Sequence, residues 1–261
     1  MTDTILLRYD TGPITTLTLN SPDSLNALST PMLLALSAEL DQIAASSQRA
    51  VILAAAGKNF CAGHDLKEIQ ARRSAPDQGR AAFVALFALC SRVMQQITAL
   101  PQPVIAQVQG IATAAGCQLA ATCDMVVATD SARFGVNGVN IGLFCSTPLV
   151  ALSRKIPPAM AFNLAATGEF LTVYRANELG LVTQITSPGN LHNKALALAT
   201  TLTQKLPSAL ALGKRAFAAH SAHDLATAYA TASAIMVENL LLPDTDEGIT
   251  AFLAKRPPNW A

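Results

Sequence analysis

The feature that most constrains the fold is a long uncharged segment in the middle of the chain. Between residues 93 and 123 there is no aspartate, glutamate, lysine or arginine. A stretch of this length raises the question of a membrane helix. Two prolines, two glycines and several glutamines interrupt it, and such residues are more typical of a folded interior than of a lipid-exposed helix. The segment therefore predicts the core of a globular protein, and no membrane partner is expected.

Composition bounds the class of protein further. A chain of 261 residues is long enough for one large α/β domain with a sizeable core. Only 13% of its residues are charged, while 51% are hydrophobic, which predicts that part of the surface is covered by other subunits. The net charge of +1 creates no field that would gather nucleic acid, so no nucleic-acid partner is expected.

The cysteines and the N-terminus indicate a compartment. The five cysteines form no C-x-x-C pair, so we expect free thiols, a reducing environment and no metal site. The first residues, Met-Thr-Asp-Thr-Ile, lack a basic region followed by an apolar run and lack an arginine-rich presequence. These observations predict a cytoplasmic protein.

Hydrophobic periodicity predicts strands early in the chain and helices late. Strands are expected over 14–19, 50–54, 104–109, 125–129 and 181–185, and helices over 30–45, 78–100, 209–242 and 245–254. Thr30 is the expected cap of the first helix, with Pro31 in its first turn.

Two loops rich in small residues mark the candidate site. Residues 60–66 read Phe-Cys-Ala-Gly-His-Asp-Leu, and residues 110–119 read Gly-Ile-Ala-Thr-Ala-Ala-Gly-Cys-Gln-Leu. Each follows a predicted strand, and the second opens a predicted helix. Small residues allow a ligand to touch the backbone, and free N–H groups at a helix start stabilise negative charge.

These loops belong to a series of motifs that resembles the crotonase superfamily, that is, the enoyl-CoA hydratase/isomerase family. The series runs nearly from end to end of the chain. It comprises Asn20-Ser21-Pro22, Leu25-Asn26-Ala27-Leu28, the two loops, Cys123-Asp124, Ala128-Thr129-Asp130, Ala132-Arg133-Phe134-Gly135, Thr167-Gly168-Glu169, Gly180-Leu181-Val182 and Phe252-Leu253-Ala254-Lys255-Arg256-Pro257. Residues 141–148, Ile-Gly-Leu-Phe-Cys-Ser-Thr-Pro, indicate one subgroup within it.

The resemblance implies an α/β fold with a crotonase-type ββα spiral core over residues 1–195, which would hold the acyl-CoA site. It also implies a C-terminal helical oligomerisation region over residues 196–261, and an assembly that is a homotrimer or a hexamer. No cofactor is implied other than the coenzyme A thioester, which is the substrate or ligand.

Carried over by position, the backbone N–H groups of His64 and Ala115 would form an oxyanion hole for the thioester oxygen. The family usually has glycine at the position of Ala115, so this chain departs there. The resemblance also assigns contacts with coenzyme A, at Asn26, Ala27, Leu28, Ala62, His64, Asp65, Leu66, Phe252 and Lys255.

A second departure concerns proton transfer. Hydratases of the family carry two glutamates, and the matching positions here are Gln118 and Gly138. An amide can hold a water molecule but cannot accept its proton, and glycine has no side chain. Because general acid–base groups are typically worth about 10²–10⁴ in rate, the sequence predicts a poor or inactive hydratase in a lyase-like family of fatty acid metabolism. Whether the protein is an enzyme stays open.

Two other functions remain as alternatives. A non-catalytic acyl-CoA-binding or regulatory homologue would explain the missing glutamates. A serine hydrolase could use Ser146 or Ser153 with His64, although no G-x-S-x-G motif surrounds either serine.

Several polar side chains have simpler structural interpretations. Asp65 is expected to cap the next helix, with Glu68 completing a capping box. Ser146 or Thr147 is expected to cap the helix that follows, and Lys214 to lie on the surface. Cys117 is expected to be a small buried hydrophobic residue, and Asp124 to anchor a loop.

Overall fold

The computed structural model describes residues 4–220 and 223–260. Its strands are β1 Leu6–Thr11, β2 Ile14–Leu19, β3 Ala50–Ala55, β4 Val104–Val108, β5 Ile111–Thr113, β6 Met125–Thr129, β7 Arg133–Gly135, β8 Phe170–Thr172 and β9 Gln184–Thr186. Its helices are α1 Thr30–Ala44, α2 Leu66–Arg72, α3 Arg80–Ala99, α4 Ala115–Thr122, α5 Ser146–Leu152, α6 Pro158–Thr167, α7 Val173–Glu178, α8 Leu191–Thr203, α9 Pro207–His220, α10 Leu225–Leu240 and α11 Pro243–Leu253. Short 3₁₀ helices cover Pro22–Ser24, Asn137–Ile141 and Pro188–Asn190.

Two sheets organise the core. The larger has the order β1-β2-β3-β4-β6-β9 and is parallel except for the β1–β2 hairpin. The smaller has the order β5-β7-β8, with β5 and β7 parallel and β8 antiparallel. The pairs β4–β5 and β6–β7 each place one strand in the larger sheet and the next in the smaller sheet before a helix follows. This is the predicted ββα spiral of an α/β protein.

The alternation of side chains along β3 explains why helices cover both faces of the larger sheet. Val51 and Leu53 face the main core cluster, which includes residues of α1, α3 and α4. Ala50 and Ile52 face the opposite side, where α8 covers them. Every residue of β3 is buried, as expected for a central parallel strand.

The uncharged segment forms the interior, as predicted, and supplies the end of α3, β4, β5 and α4. By length and composition α3 could cross a membrane, as could α10 with α11 if their 75° bend lay within one span. One face of α3 nevertheless packs in the core, through Leu86, Cys90, Val93, Met94 and Ile97. A core helix of a soluble protein meets the same criteria.

Some predicted boundaries are wrong. The side chain of Ser29, not Thr30, caps α1 by accepting from Met32 N. The strand expected over 181–185 begins only at Gln184, because the N–H groups of Leu181 and Val182 both bond to the Ala176 carbonyl. The helix expected over 209–242 is two helices, α9 and α10.

The boundary predicted between residues 195 and 196 falls inside α8. This helix packs on the larger sheet with Leu191, Ala195 and Ala199. The division of the chain into a core and an oligomerisation region stays a prediction.

Lys214 was expected on the surface, and this expectation is wrong. Its side chain is only 11% exposed and its ammonium group donates to Asp124 Oδ2 at 2.7 Å, to Ile97 O at 2.9 Å and to Gln102 O at 3.1 Å. Asp124 also accepts from Val104 N at 2.7 Å, so it does anchor a loop as predicted. All three ammonium protons therefore have acceptors. The lysine links α9 to the end of α3 and to the segments that precede β4 and β6.

The C-terminal tail folds back onto α11. Arg256 donates to both carboxylate oxygens of Glu247, at 2.7 and 2.8 Å, and Asn259 N donates to the same carboxylate. These hydrogen bonds lower the pKa of Glu247 to about 2. The indole of Trp260 lies over Gly248, where an added Cβ would approach the ring to 2.9 Å.

The Lys214 contacts generate a stability prediction. Lys214→Met keeps the aliphatic stem but leaves two carbonyls and Asp124 without their donor, so we expect a loss of about 1–3 kcal/mol. Arg215→Met removes the neighbouring exposed ion pair with Glu238 and is expected to change stability by less than about 0.5 kcal/mol. Urea unfolding followed by circular dichroism at fixed protein concentration measures both, and equal midpoints would contradict the assigned role.

Candidate active site

The two small-residue loops are joined to each other along their backbones. They follow β3 and β4, which are neighbours in the larger sheet. Cys61 N donates to Ile111 O at 3.1 Å, and Thr113 N donates to Cys61 O at 3.0 Å. Residues far apart in sequence are therefore held at one edge of the sheet.

A buried side-chain amide, that of Asn26, holds the chain that leads into the first loop. Asn26 is fully buried, and its Nδ2 donates to Ala56 O at 2.8 Å and to Asn59 O at 3.0 Å. Its Oδ1 accepts from Ser21 N at 2.9 Å. The side chain of Asn26, predicted to contact coenzyme A, is thus occupied in positioning the first loop.

Two glycines permit the loops to touch. A Cβ added to Gly63 would lie 2.9 Å from Ala114 Cβ and 3.1 Å from Ala115 N. A Cβ added to Gly116 would lie 2.2 Å from Cys61 O, a distance too short for any side chain. The glycine at 116 is therefore required by packing against the first loop.

The two predicted donors lie on either side of this junction. Leu28 N donates to Gly63 O at 2.7 Å, within a parallel bridge between Leu28 and His64. The N–H of His64 takes no part in this hydrogen bond. Ala115 is the first residue of α4, so its N–H has no acceptor within the helix. Neither N–H donates to another group in the part of the chain that the structure describes.

The backbone is strained immediately before the second donor. Ala114 has a φ of 49° and ψ of −123°, a conformation that L residues rarely adopt and that is often found at functional sites. Its N–H bonds to Gly135 O at 2.9 Å. The Ala115 side chain is 2% exposed and belongs to the main core cluster.

The His64 ring is held in place by its surroundings. Nδ1 lies 3.2 Å from the Leu28 carbonyl, and the ring packs edge-on against Phe87 with centroids 5.4 Å apart. Burial lowers the pKa of His64, so the ring is neutral at pH 7 and Nδ1 carries the proton that is donated. Nε2 is buried and has no partner among the described residues.

The two positions expected to lack carboxylates differ in character. Gln118 is 5% exposed, and its Oε1 is buried without a hydrogen bond in the described ranges. At Gly138 an added Cβ would lie 2.3 Å from Leu143 O and 2.8 Å from Cys145 Sγ. The backbone after the 3₁₀ helix Asn137–Ile141 thus fills the space in which a side chain at 138 would begin.

Two protonated thiols accompany these positions. Cys117 is completely buried, and burial raises its pKa to about 12. Burial also raises the pKa of Cys145. A thiolate nucleophile is not stabilised here, in agreement with the interpretation of Cys117 as a packing residue.

The acidic residues near the first loop serve structure. Asp65 caps α2 by accepting from Lys67 N and Glu68 N, as predicted. The capping box is wrong, because Glu68 accepts instead from the N–H and hydroxyl of Thr30 and from Arg72. Burial raises the pKa of Glu68, but these hydrogen bonds outweigh burial and hold the pKa below its usual value.

A depression of about 630 Å³ lies at the start of α3 and is lined by Asp77, Gln78, Arg80, Phe83, Val84 and Phe87. It meets the candidate site through Phe87, whose ring contacts His64. The carboxylate of Asp77 accepts from Ala81 N and Gly79 N, which lowers its pKa. This acid therefore caps α3 and is a poor base.

The remaining residues assigned to coenzyme A are dispersed. Ala27 and Leu28 are buried, Ala62 is half-buried and Leu66 is exposed. Phe252 and Lys255 lie at the exposed end of α11, and no hydrogen bond or ion pair between described residues links them to the two loops.

The serines considered as nucleophiles have no catalytic contact. Ser146 donates to Phe144 O at 3.4 Å. The N-cap of α5 is Cys145, and no hydrogen bond among the described residues has Ser146 or Thr147 capping the helix, so the predicted cap at Ser146 or Thr147 is wrong. Neither Ser146 nor Ser153 bonds to His64 in the described ranges. In the same ranges no cluster of histidine, cysteine and acidic residues could hold a metal ion.

Comparisons with known proteins agree with this geometry. The family profile described as enoyl-CoA hydratase/isomerase matches residues 10–261. Enoyl-CoA hydratase domain-containing protein 3, mitochondrial, from Xenopus laevis is 42% identical over 93% of this chain and 81% of its own length. The relative confirms the subgroup indicated by residues 141–148.

Solved structures give the same result. An enoyl-CoA hydratase from Mycobacterium smegmatis has a TM-score of 0.94 and 47% identity, covering 99% of both chains. Human enoyl coenzyme A hydratase domain-containing protein 3 has a TM-score of 0.92 and 40% identity, covering 98% of this chain and 100% of its own. The crotonase-type fold is thereby confirmed.

Two helical glycines provide a test of the loop junction. Gly116→Ala should destabilise the protein by about 1–3 kcal/mol because the methyl group collides with Cys61 O. Gly213→Ala lies in α9, where the new Cβ would meet no described atom outside its own stretch of helix within 4 Å, and should stabilise the protein by about 0.5–1 kcal/mol through helix propensity. Thermal unfolding of both variants gives the comparison, and a stabilised Gly116→Ala variant would refute the close contact.

Proposed function

Because the chain belongs to the enoyl-CoA hydratase/isomerase family, we propose that it binds acyl-CoA thioesters and holds the thioester oxygen with the N–H groups of His64 and Ala115. The observation that carries the proposal is the joined pair of loops, in which neither of these N–H groups donates to another described residue. Donors fixed in a water-poor site stabilise charge that develops on a carbonyl oxygen, and removing one typically costs about 10²–10³ in rate.

In the proposed mechanism, polarisation of the thioester proceeds without an efficient proton transfer. The Gln118 amide is neutral and cannot take a proton from water. Position 138 offers no side chain, and the nearby acids Glu68 and Asp77 are used as hydrogen-bond acceptors with lowered pKa values. We therefore expect enolate-type polarisation but little hydratase activity.

The acyl chain is proposed to extend from the loop junction past Phe87 toward the depression at α3. Phe83, Val84 and Phe87 give that depression an apolar wall. Coenzyme A would pass over Ala62, Asp65 and Leu66 at the start of α2. The small residues of the first loop would allow coenzyme A to approach its backbone. Asn26 would act indirectly, by positioning that loop.

A non-catalytic acyl-CoA-binding or regulatory protein is the second candidate. The specific observation in its favour is the crowding at Gly138, where Leu143 O and Cys145 Sγ stand in the place of any side chain. The two candidates predict the same binding and differ only in turnover.

Titration with crotonyl-CoA, with hydration followed on the same sample, tests the proposal. We expect saturable binding, with hydration slower by about 10² or more than in a family hydratase that has both glutamates. S-butyl-CoA, a thioether without the carbonyl oxygen, is the matched ligand for butyryl-CoA. Losing two hydrogen bonds should weaken its binding about 5- to 100-fold.

The opposing outcomes are distinct. Absence of any binding would overturn the acyl-CoA assignment. Equal affinity for the thioether and the thioester would remove the role of the two N–H groups. Rapid hydration would mean that another acid–base group serves the site.

We also propose that the protein assembles as a trimer or hexamer through α10 and α11. Large apolar side chains are exposed on these helices and at the turn between them, namely Leu225, Tyr229, Met236, Val237, Leu240, Leu241, Ile249, Phe252 and Leu253. Exposed large apolar side chains in this number on two adjacent helices are typical of an interface. Assembly could bring Phe252 and Lys255 of one subunit to the coenzyme A site of another.

Light scattering tests the assembly. The wild-type mass should correspond to three or six chains of 27.2 kDa, and Leu241→Glu should dissociate it because the charge would be buried in the interface. Tyr9→Glu, on the exposed β1, should leave the mass unchanged. A monomeric wild type would contradict the proposal.

A further inference from the structure

Two arginines at the depression on α3 have no carboxylate partner. Arg80 is one of the residues that line the depression, and the Arg73 guanidinium lies over the ring of Phe83, 5.8 Å from its centroid. Neither arginine forms an ion pair within the described ranges of the chain. The neighbouring Arg72 differs, because it pairs with Glu68 at 3.4 Å.

The one carboxylate that lines the depression is engaged by the backbone. Asp77 accepts from Gly79 N at 3.0 Å and from Ala81 N at 2.8 Å. These two hydrogen bonds fix the carboxylate at the start of α3. The edge of the depression therefore carries two positive charges, from Arg73 and Arg80, against one negative charge.

The wall between these arginines and the loop junction is apolar. It is formed by Phe83, Val84 and Phe87, and the ring of Phe87 contacts that of His64. Arg80 precedes Phe87 by about two turns of α3, which is roughly 10 Å along the helix axis. An acyl chain that leaves the junction and follows this wall ends beside the two guanidinium groups.

A carboxylate is the chain end that complements this arrangement. Guanidinium groups match carboxylates in charge and in hydrogen-bond geometry. The stacking of Arg73 on Phe83 holds one guanidinium at the edge of the apolar wall. A methyl end would form neither ion pair nor hydrogen bond with these groups.

We propose that the depression selects acyl-CoA thioesters whose acyl chain ends in a carboxylate, which Arg80 and Arg73 bind. This inference rests on the proposed acyl-CoA site and names the substrate class that the site takes. The two arginines determine specificity and take no part in chemistry at the thioester.

Calorimetric titration with sebacoyl-CoA and decanoyl-CoA, whose acyl chains are equally long, tests the selection. We expect sebacoyl-CoA to bind about 3- to 10-fold more tightly at low salt, because each exposed ion pair is worth up to about 5-fold. In about 1 M NaCl, screening should bring this ratio close to one. Succinyl-CoA should bind no more tightly than butyryl-CoA, because its carboxylate ends before the arginines.

Substitutions of the two arginines identify the groups responsible. Arg80→Gln and Arg73→Gln should each lower the ratio, and the double variant should bring it to about one. Each ratio is taken against the same variant's affinity for decanoyl-CoA, so a general change in chain binding cancels. Arg92→Gln is the matched control, because Arg92 is an exposed arginine of the same helix that does not line the depression. It should keep the wild-type ratio.

The opposing outcomes separate this inference from the proposed function. A wild-type ratio of one at low salt, or a double variant that keeps the wild-type ratio, would overturn the inference and leave the acyl-CoA site intact. Should the double variant fail to fold, two single variants with the wild-type ratio would overturn it equally. Binding of the two short thioesters alone would also overturn it, because the chain would not reach the depression. Failure to bind any of the four thioesters would overturn the proposed function, and this inference with it.

Discussion

The backbone contact between Cys61 and Gly116 is the constraint on which the candidate site depends. It exists because β3 and β4 are adjacent parallel strands, so that the loops after them emerge at one edge. Any side chain at 116 would force the loops apart. The strained Ala114 and the buried Gln118 lie two residues to either side of Gly116. The N–H groups of His64 and Ala115, which have no acceptor among the described residues, belong to the two loops that this contact joins.

The sequence was enough to predict those parts of the site that depend on neighbouring residues or on motifs shared with a known family. The small-residue loops, the cap at Asp65 and the buried strand β3 follow from residue type and periodicity. The strands β5, β7 and β8 were missed because three residues are too few to show a period. Lys214 was misplaced because its partners at Ile97, Gln102 and Asp124 are about a hundred residues away, and only the fold brings them near.

Gly138 shows what a resemblance by position cannot convey. The resemblance predicts that a carboxylate is missing at 138, and the structure adds that Leu143 O and Cys145 Sγ occupy the space in which a side chain there would begin. Restoring a glutamate at 138 would thus require the 3₁₀ segment and the start of α5 to move together. The departure at Ala115 is different in kind, since that methyl group is absorbed into the core and leaves the N–H in place.

The folded-back tail has a consequence for how the molecule can be observed. Trp260 is the only tryptophan in the chain, and it lies on Gly248 of α11 beside the Arg256–Glu247 pair. Its fluorescence therefore senses the C-terminal helices rather than the sheet or the two loops. A ligand that orders only the loops would leave this emission unchanged, whereas a partner subunit that covers α11 would change it. The indole would therefore report on the proposed assembly.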